Sequence, residues 1–428
     1  MADTISNEQP APRPRQRRGL RPYLLALGPG LLAASAGNDA GGIATYASAG
    51  AEYGYGLLWA MVAVTVCVGV VQEMSARLGA VTGKGFSDLV RENFPLRMTA
   101  LIMLTLLLAN YGIIASEFVG IAAAAELFGV SRYIAVPAAA LLIWMLITRG
   151  SYANVERVFL LLTFGFFAYI AAAFLAKPDW MEVGRAVVQP QIAFNPGYLL
   201  ILTAIVGTTI SPYMQLYVQS SVVEKDLPLD DYRYTRFDVI AGTLSAGVVA
   251  AFIMIATAAT LFPRGITIAS AADAALALEP VAGPYARVLF GFGLLGASLL
   301  AAGVLPLATT YMLSEAFGFE RGVSRSWEEA PVFLGIFTAL IVLGALPALI
   351  PGLPLFDVLV GVYVLNGLLL PIELFAILAL IGNRELMGEH RNGRVHNVVA
   401  WTIAGLVSLL SLTLIIVTVL GWFGVSFA

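Results

Sequence analysis

The chain has 428 residues, of which 59% are hydrophobic and only 12% are charged. Soluble globular proteins carry about 25% charged residues, so this composition excludes a soluble protein and indicates a polytopic protein of the lipid bilayer. The formal net charge of −3 gives no reason to expect a nucleic-acid partner. The single cysteine, Cys67, lies in an apolar run, which excludes a disulfide framework and a thiolate metal site.

Eleven apolar windows follow one another along the chain. A membrane-spanning helix needs about 20 largely apolar residues, and the connections between the windows leave no room for a soluble domain. Residues 1–21 are rich in Pro, Gln and Arg and are predicted to form a disordered cytoplasmic N-terminus. The windows are 22–49, 55–80, 98–127, 132–148, 155–175, 195–222, 238–262, 284–316, 331–350, 354–382 and 396–424.

The distribution of Lys and Arg predicts the orientation. With the N-terminus in the cytoplasm, eighteen of these cations fall in inside segments and five in outside segments, with Arg77 near the end of the second window. Cytoplasmic loops carry an excess of Lys and Arg. We therefore expect a multi-pass protein of the cell membrane (plasma or inner), with the N-terminus in the cytoplasm and the C-terminus outside.

The first window is interrupted by a carboxylate. The run from Gly37 to Gly42 reads Gly-Asn-Asp-Ala-Gly-Gly, and apolar residues resume at Ile43. A carboxylate at bilayer depth is costly and usually faces a cavity or a transport path, and glycines allow the helix to unwind there. Asp39 therefore predicts a cation site on a discontinuous helix. The alternative is a kinked helix with a buried, hydrogen-bonded aspartate.

The sixth window carries a second interruption, at Gly207-Thr208-Thr209-Ile210-Ser211-Pro212-Tyr213. Pro212 removes a backbone donor and disfavours helical geometry at Ser211. Two broken helices five spans apart are typical of inverted-repeat transporters. The predicted fold is all-α, with a first five-helix repeat over 22–175, a second inverted repeat over 195–382 and an additional eleventh helix over 396–424.

Several motifs resemble the NRAMP family of divalent-metal transporters. They occur in the family's order and cover the chain after residue 20. The resemblance implies the LeuT-type fold, eleven transmembrane helices and inward transport of metal ions by alternating access, usually with protons. The motifs are Gly28-Pro29-Gly30, the Asp39 break, the segment 52–59 (Glu-Tyr-Gly-Tyr-Gly-Leu-Leu-Trp), the segment 72–79 (Gln-Glu-Met-Ser-Ala-Arg-Leu-Gly), the segment 115–120 (Ala-Ser-Glu-Phe-Val-Gly) and Leu278-Glu279-Pro280.

The resemblance also implies a set of metal ligands. The family's Asp-Pro-Gly-Asn motif falls on Asp39 to Gly42, so the carboxylate is kept and glycine replaces the asparagine ligand. Its Met-Pro-His motif falls on 211–213, so Ser211 replaces the thioether ligand. The carbonyl ligands of the family fall on Ala36 and Thr208.

These departures favour a hard cation. Thioethers select softer metals, whereas carboxylate, carbonyl and water suit Mg²⁺, Ca²⁺ and Mn²⁺. The loss of the asparagine side chain also suggests an enlarged site, and Mg²⁺ usually keeps several waters. The chain is closest in these positions to the NRAMP-related magnesium transporters. An ordinary Mn²⁺/Fe²⁺ transporter and an aluminium carrier remain alternatives.

The residues of the family's proton pathway are altered as well. Tyr213 stands where the family has histidine, and a phenol keeps its proton at neutral pH. Ile114 stands where the family often has a carboxylate. Both histidines of the chain, His390 and His396, lie near the cytoplasmic end of the last window. Glu117 remains, either as a proton carrier or as a structural carboxyl, and we expect transport without proton coupling.

Other classes of protein fit less well. An organic-solute transporter of the same fold would bind its substrate beside Asp39, which repels a carboxylate. An intramembrane metalloenzyme needs several ligands within the spans, where only Asp39 and Glu117 are central, so we expect neither catalysis nor a cofactor. A channel is disfavoured because no acidic ring repeats in the sequence. No obligate protein partner is implied.

Overall fold

The computed structural model describes residues 37–148, 167–224, 229, 232–320 and 327–423. Within these ranges the chain is helical throughout. The helices within the apolar windows are α1 (Ala40–Tyr53), α2 (Leu58–Thr82), α3 (Leu96–Leu127), α4 (Arg132–Thr148), α5 (Ala168–Leu175), α6 (Pro196–Thr209), α7 (Pro212–Glu224), α8 (Tyr232–Thr260), α9 (Ala286–Phe317), α10 (Pro331–Ala345), α11 (Leu355–Gly382) and α12 (Arg394–Trp422).

Shorter helical pieces connect them. Five are α-helical: Phe86–Asn93, Trp180–Val188, Ala271–Ala275, Glu279–Ala282 and Arg384–Met387. Five are single 3₁₀ turns: Phe262–Arg264, Leu276–Leu278, Gly283–Tyr285, Pro347–Leu349 and Gly388–His390.

Hydropathy and length explain why the long elements are helices. In a bilayer every backbone amide must be bonded within the protein, which an apolar α-helix achieves by itself. Among the described residues, eight spans are long and apolar enough to cross a membrane, and α4 is a shorter apolar helix. The predicted windows from the second to the fourth and from the sixth to the eleventh each contain such a helix. Much of the first and fifth windows lies outside the described residues.

Both predicted interruptions are present in the backbone. Residues 37–39 are not helical, and α1 begins at Ala40 with Asp39 as its N-cap. The sixth window divides into α6, which ends at Thr209, and α7, which begins at Pro212. At these two breaks, helix ends lie in the interior of the bundle, where side chains bond their backbone groups.

The helices pack so that the two breaks meet. α1 lies against α8 and α11, and α6 packs along α11. α3 packs between α9 and α11. The largest buried apolar cluster joins residues of α1, α3, α8, α9 and α11, and it surrounds the region of the breaks.

Gly207 sets the distance between α6 and α11. A Cβ added there would overlap the carbonyl oxygen of Tyr363 and the backbone of Gly367. Neither group can move without displacing α11, because both are main-chain atoms. Glycine therefore allows the close approach that places α6 and α11 on the same site.

We expect Gly207→Ala to destabilise the folded protein by about 1–3 kcal/mol, the usual cost of overpacking a filled core. Thermal unfolding in detergent measures this as a lower midpoint. Gly361→Ala is the matched control, because it lies on α11 with open space where its Cβ would be added. Equal midpoints for the two variants would contradict the close packing of α6 on α11.

Candidate functional site

Asp39 is held at the start of α1 by two donors. Its Oδ1 accepts a hydrogen bond from the backbone N–H of Gly42 at 2.8 Å. Its Oδ2 accepts a hydrogen bond from the phenol of Tyr363 on α11. The residue is only 1% exposed. The first break thus stabilises a buried carboxylate by the N-terminus of a helix and by one side chain from across the bundle.

Three oxygens converge around the Cα of Gly42. A Cβ added at this glycine would lie 2.9 Å from the carbonyl oxygen of Gly37, 2.9 Å from the hydroxyl of Thr208 and 3.2 Å from Oδ1 of Asp39. The Thr208 hydroxyl is buried, and within the described part of the chain it has no hydrogen-bond partner. The place of a side chain at residue 42 is therefore filled by a carboxylate, a carbonyl and a free hydroxyl from the two breaks.

Ser211 lies on the other side of the second break. Its hydroxyl is 3.0 Å from the carbonyl oxygens of both Gly207 and Thr208 and can donate to one at a time. Asn366 of α11 donates from Nδ2 to the Gly207 carbonyl at 2.9 Å and lies 3.4 Å from the Ser211 hydroxyl. The Ser211 side chain thus bonds the last turn of α6.

Glu117 of α3 lies beside the first break. Its Oε2 accepts from the backbone N–H of Ala40 at 3.5 Å, and its Oε1 has no hydrogen-bond partner. Tyr213 is fully buried with an unpartnered hydroxyl. Ile114, one turn before Glu117, is fully buried, and its side chain packs on Gly344 of α10. Hydrocarbon thus occupies the position at which the family often has a second carboxylate.

Both histidines lie away from the breaks. His396 is in the first turn of α12, where its Nε2 lies 3.5 Å from Oε2 of Glu73 on α2. The same carboxylate pairs with Arg77 at 3.2 Å and accepts from the hydroxyl of Tyr232 at 2.9 Å. The backbone carbonyl oxygen of His390 accepts a hydrogen bond from Arg77 at 3.1 Å.

The breaks bring together Asp39, Gly42 and Thr208. Glu117 contacts the first break through the backbone of Ala40, and Ser211 and Tyr213 follow Thr208 in the chain. Ala36 lies outside the described residues. In the described part of the chain, no three His, Cys, Asp or Glu side chains form a group that could hold a metal. A cation at this position would therefore be held by one or two carboxylates together with carbonyl and hydroxyl oxygens.

Sequence reasoning did not find Tyr363. This phenol donates to Asp39 from 324 positions away. Its ring also fills the space above Gly41, where an added Cβ would overlap it. One feature of the sequence could have pointed to Tyr363. Asn366 is a polar residue in an apolar window, and Tyr363 lies one helical turn before it.

The Nramp family model ("Natural resistance-associated macrophage protein-like") matches residues 30–417. The chain belongs to the Nramp family. It is therefore a membrane transporter of divalent metal cations rather than an enzyme.

Two Nramp relatives have similar lengths. The "Divalent metal cation transporter MntH" of Yersinia pestis (strain Pestoides F) is 31% identical over 382 residues, which cover 87% of this chain and 90% of that protein. The protein of the same name from Deinococcus radiodurans is 29% identical over 408 residues, covering 92% and 90% of the two chains.

Solved structures confirm the LeuT-type fold. A mutant of the Eremococcus coleocola manganese transporter aligns with a TM-score of 0.76 at 20% identity, covering 96% of this chain and 90% of that one. Mhp1, a nucleobase-cation-symport-1 family transporter, aligns with a TM-score of 0.57 at 17% identity, covering 92% and 91%. The prediction of an all-α inverted-repeat transporter with two broken helices is confirmed.

We expect Tyr363→Phe to bind Mn²⁺ about tenfold more tightly than the unmodified chain. A hydrogen bond to a buried charged group contributes about 1.5–3 kcal/mol, and about 1.4 kcal/mol corresponds to tenfold in affinity. Without the phenol, the metal-free state is left with an uncompensated Oδ2 that the ion can then compensate. Isothermal titration calorimetry measures the difference.

Tyr198→Phe is the matched control for this variant, because Tyr198 is a buried tyrosine of α6 whose hydroxyl donates to the backbone carbonyl of Gln191 and not to a carboxylate. Its affinity should be unchanged. An unchanged or weaker affinity in Tyr363→Phe would mean that the phenol stays on Asp39 when the ion binds.

Proposed function

We propose that this transporter carries hard divalent cations into the cell, with partly hydrated Mg²⁺ as the favoured substrate and Mn²⁺ as a second one. Transport follows the membrane potential and does not require protons. Two five-helix repeats, residues 22–175 and 195–382, alternate access to the site between them. The N-terminus lies in the cytoplasm and the C-terminus outside, as the Lys and Arg distribution predicts.

The proposal depends chiefly on the oxygens around Gly42. The carboxylate of Asp39, the carbonyl of Gly37 and the unpartnered hydroxyl of Thr208 are all hard donors. Such ligands suit Mg²⁺ and Mn²⁺, whereas the softer metals prefer sulfur and imidazole. Ser211 supports the same assignment, because it places a hydroxyl where relatives of the family have a thioether.

A site with few protein ligands favours an ion that keeps part of its water shell. Mg²⁺ prefers six oxygens and loses its waters reluctantly, so it is usually bound by one or two carboxylates with several waters retained. One carboxylate, one carbonyl and one hydroxyl leave about half of such a shell to water. The expected result is weak binding and competition between Mg²⁺ and Mn²⁺ for one site.

The changes in the proton pathway support uncoupled transport. The positions at which the family carries titratable groups hold Ile114, a hydrocarbon packed on Gly344, and Tyr213, a buried phenol. A membrane potential supplies about 2.3 kcal/mol per charge for each 100 mV, so a divalent cation gains about 4.6 kcal/mol. This corresponds to accumulation of roughly a thousandfold or more without protons.

Proton-coupled Mn²⁺ transport is the second candidate, for one specific reason. Glu117 is a buried carboxyl with an unpartnered Oε1, next to the residue that follows Asp39. One of the similar solved structures is a manganese transporter, and Mn²⁺ is a substrate under both proposed mechanisms. An aluminium carrier and an organic-solute transporter lack such a supporting contact.

We expect Asp39→Asn to abolish uptake of both Mg²⁺ and Mn²⁺ while the protein stays folded. Asparagine caps a helix as well as aspartate does, so the variant removes the charge and keeps the start of α1. Uptake into proteoliposomes, with Mg²⁺, Mn²⁺ and Ca²⁺ compared at the same potential, measures the effect. Uptake at the unmodified rate in Asp39→Asn would overturn the site, and failure of Mg²⁺ to compete with Mn²⁺ would overturn the choice of substrate.

We expect metal uptake to leave the pH of the liposome lumen unchanged. The measurement uses a pH-sensitive dye inside the liposomes and a potential clamped by a potassium gradient with an ionophore, so that metal entry does not change the driving force. Lumen acidification that requires metal and disappears in Glu117→Gln would establish proton coupling instead. Glu373→Gln is the matched control, because Glu373 is also a fully buried carboxyl without a hydrogen-bond partner.

A further inference from the structure

A small cavity lies beside the first break, on the side of α2 and α8. Gly37 lines it together with seven polar or sulfur-bearing side chains, namely Asn38, Tyr46, Met61, Gln72, Thr209, Met214 and Thr243. Its volume is about 20 Å³, which is enough for one water molecule or one ion. Because the Gly37 carbonyl also faces Gly42, this cavity adjoins the oxygens of the Asp39 site.

Gln72 has an unused acceptor in this cavity. The side chain is fully buried, and its Oε1 has no hydrogen-bond partner among the described residues. Its Nε2 lies 3.5 Å from the sulfur of Met214 on α7. A buried amide oxygen without a partner is costly, so this position is suited to a ligand that supplies positive charge or a hydrogen-bond donor.

Met214 brings sulfur to the same place. The thioether is buried and lies one helical turn after Ser211. Ser211 is the position at which a hydroxyl replaces the family's thioether ligand. A thioether binds softer divalent cations better than it binds Mg²⁺. The Gln72 amide can turn by half a rotation about its last bond, which exchanges the two terminal atoms and presents the oxygen toward the sulfur.

We propose that the Gln72–Met214 cavity is a second ion-binding station of the transport path. It takes Mn²⁺ and softer divalent cations, through the Gln72 amide oxygen and the Met214 sulfur, next to the Asp39 site. Its protein donors are neutral, so an ion there keeps part of its water shell and depends on the charge of Asp39 nearby. This inference rests on the proposed transport of divalent cations and adds a soft donor to that path.

The test uses Cd²⁺ as a soft probe and Mg²⁺ as a hard one, with the full chain in proteoliposomes. Met214→Leu should lower the ratio of Cd²⁺ uptake to Mg²⁺ uptake about tenfold at subsaturating metal, the size of effect expected for altering the surroundings of a bound ion. Met254→Leu is the matched control, because Met254 is a fully buried methionine of α8 that does not line the cavity. Its ratio should equal that of the unmodified chain.

Anomalous diffraction from Cd²⁺-soaked crystals locates the ion independently of transport. A peak between the side chains of Gln72 and Met214, weaker in Asp39→Asn and absent in Met214→Leu, is the expected result. A peak at Asp39 alone, or a Met214→Leu ratio equal to the control, would overturn the station. Equal loss of Cd²⁺ and Mg²⁺ uptake in Met214→Leu would also overturn it, by assigning the side chain a structural role.

The two proposals fail separately. If the unmodified chain carries none of these ions into liposomes, the proposed function is wrong. The diffraction peak between Gln72 and Met214 still decides whether the cavity binds a soft cation.

Discussion

The site depends on keeping a carboxylate in the interior of a membrane protein without a cationic side chain beside it. Asp39 meets this requirement at a broken helix. The free N–H of Gly42 and the dipole of α1 stabilise the negative charge, and the phenol of Tyr363 bonds the second oxygen. A continuous helix would satisfy those N–H groups internally and leave the carboxylate uncompensated. The break is therefore a condition for the charge as well as a source of carbonyl ligands.

Packing between α6 and α11 turns two separate breaks into one site. Gly207 allows the helices to approach until the Tyr363 backbone touches α6. The same contact places Asn366 on the carbonyl of Gly207 and the Tyr363 phenol on Asp39. A movement of α11 relative to α1 would therefore release the carboxylate and loosen α6 together. In the proposed alternating-access mechanism, this coupling would link ion release to helix movement, because Tyr363 bonds Asp39 and also packs on α6.

The proposed selectivity depends on the distribution of hard and soft donors around the two breaks. Oxygens converge around Gly42. Residue 211 is a serine whose hydroxyl bonds the last turn of α6, so the second break carries no sulfur at that position. The sulfur of Met214 lies one helical turn later, beside the side-chain amide of Gln72, whose oxygen has no partner among the described residues. Selectivity in such an arrangement comes from two neighbouring environments. One favours an ion that keeps its waters, and the other favours an ion that can exchange some of them for a thioether.

The sequence alone determined the class, the apolar spans, the positions of both breaks and the acidic residue between them, because hydropathy and backbone-breaking residues act locally. It also determined the family, since the motifs occur in order along the chain. Only the tertiary structure decided which side chains reach the breaks. Tyr363 bonds Asp39 across the whole fold, and no local pattern reports such a contact. At Thr208 the hydroxyl lies beside Gly42, while the Ser211 hydroxyl lies 3.0 Å from the Thr208 carbonyl. The orientation of a side chain depends on its neighbours in the packed fold, and the order of residues along the chain does not show which residues those neighbours are.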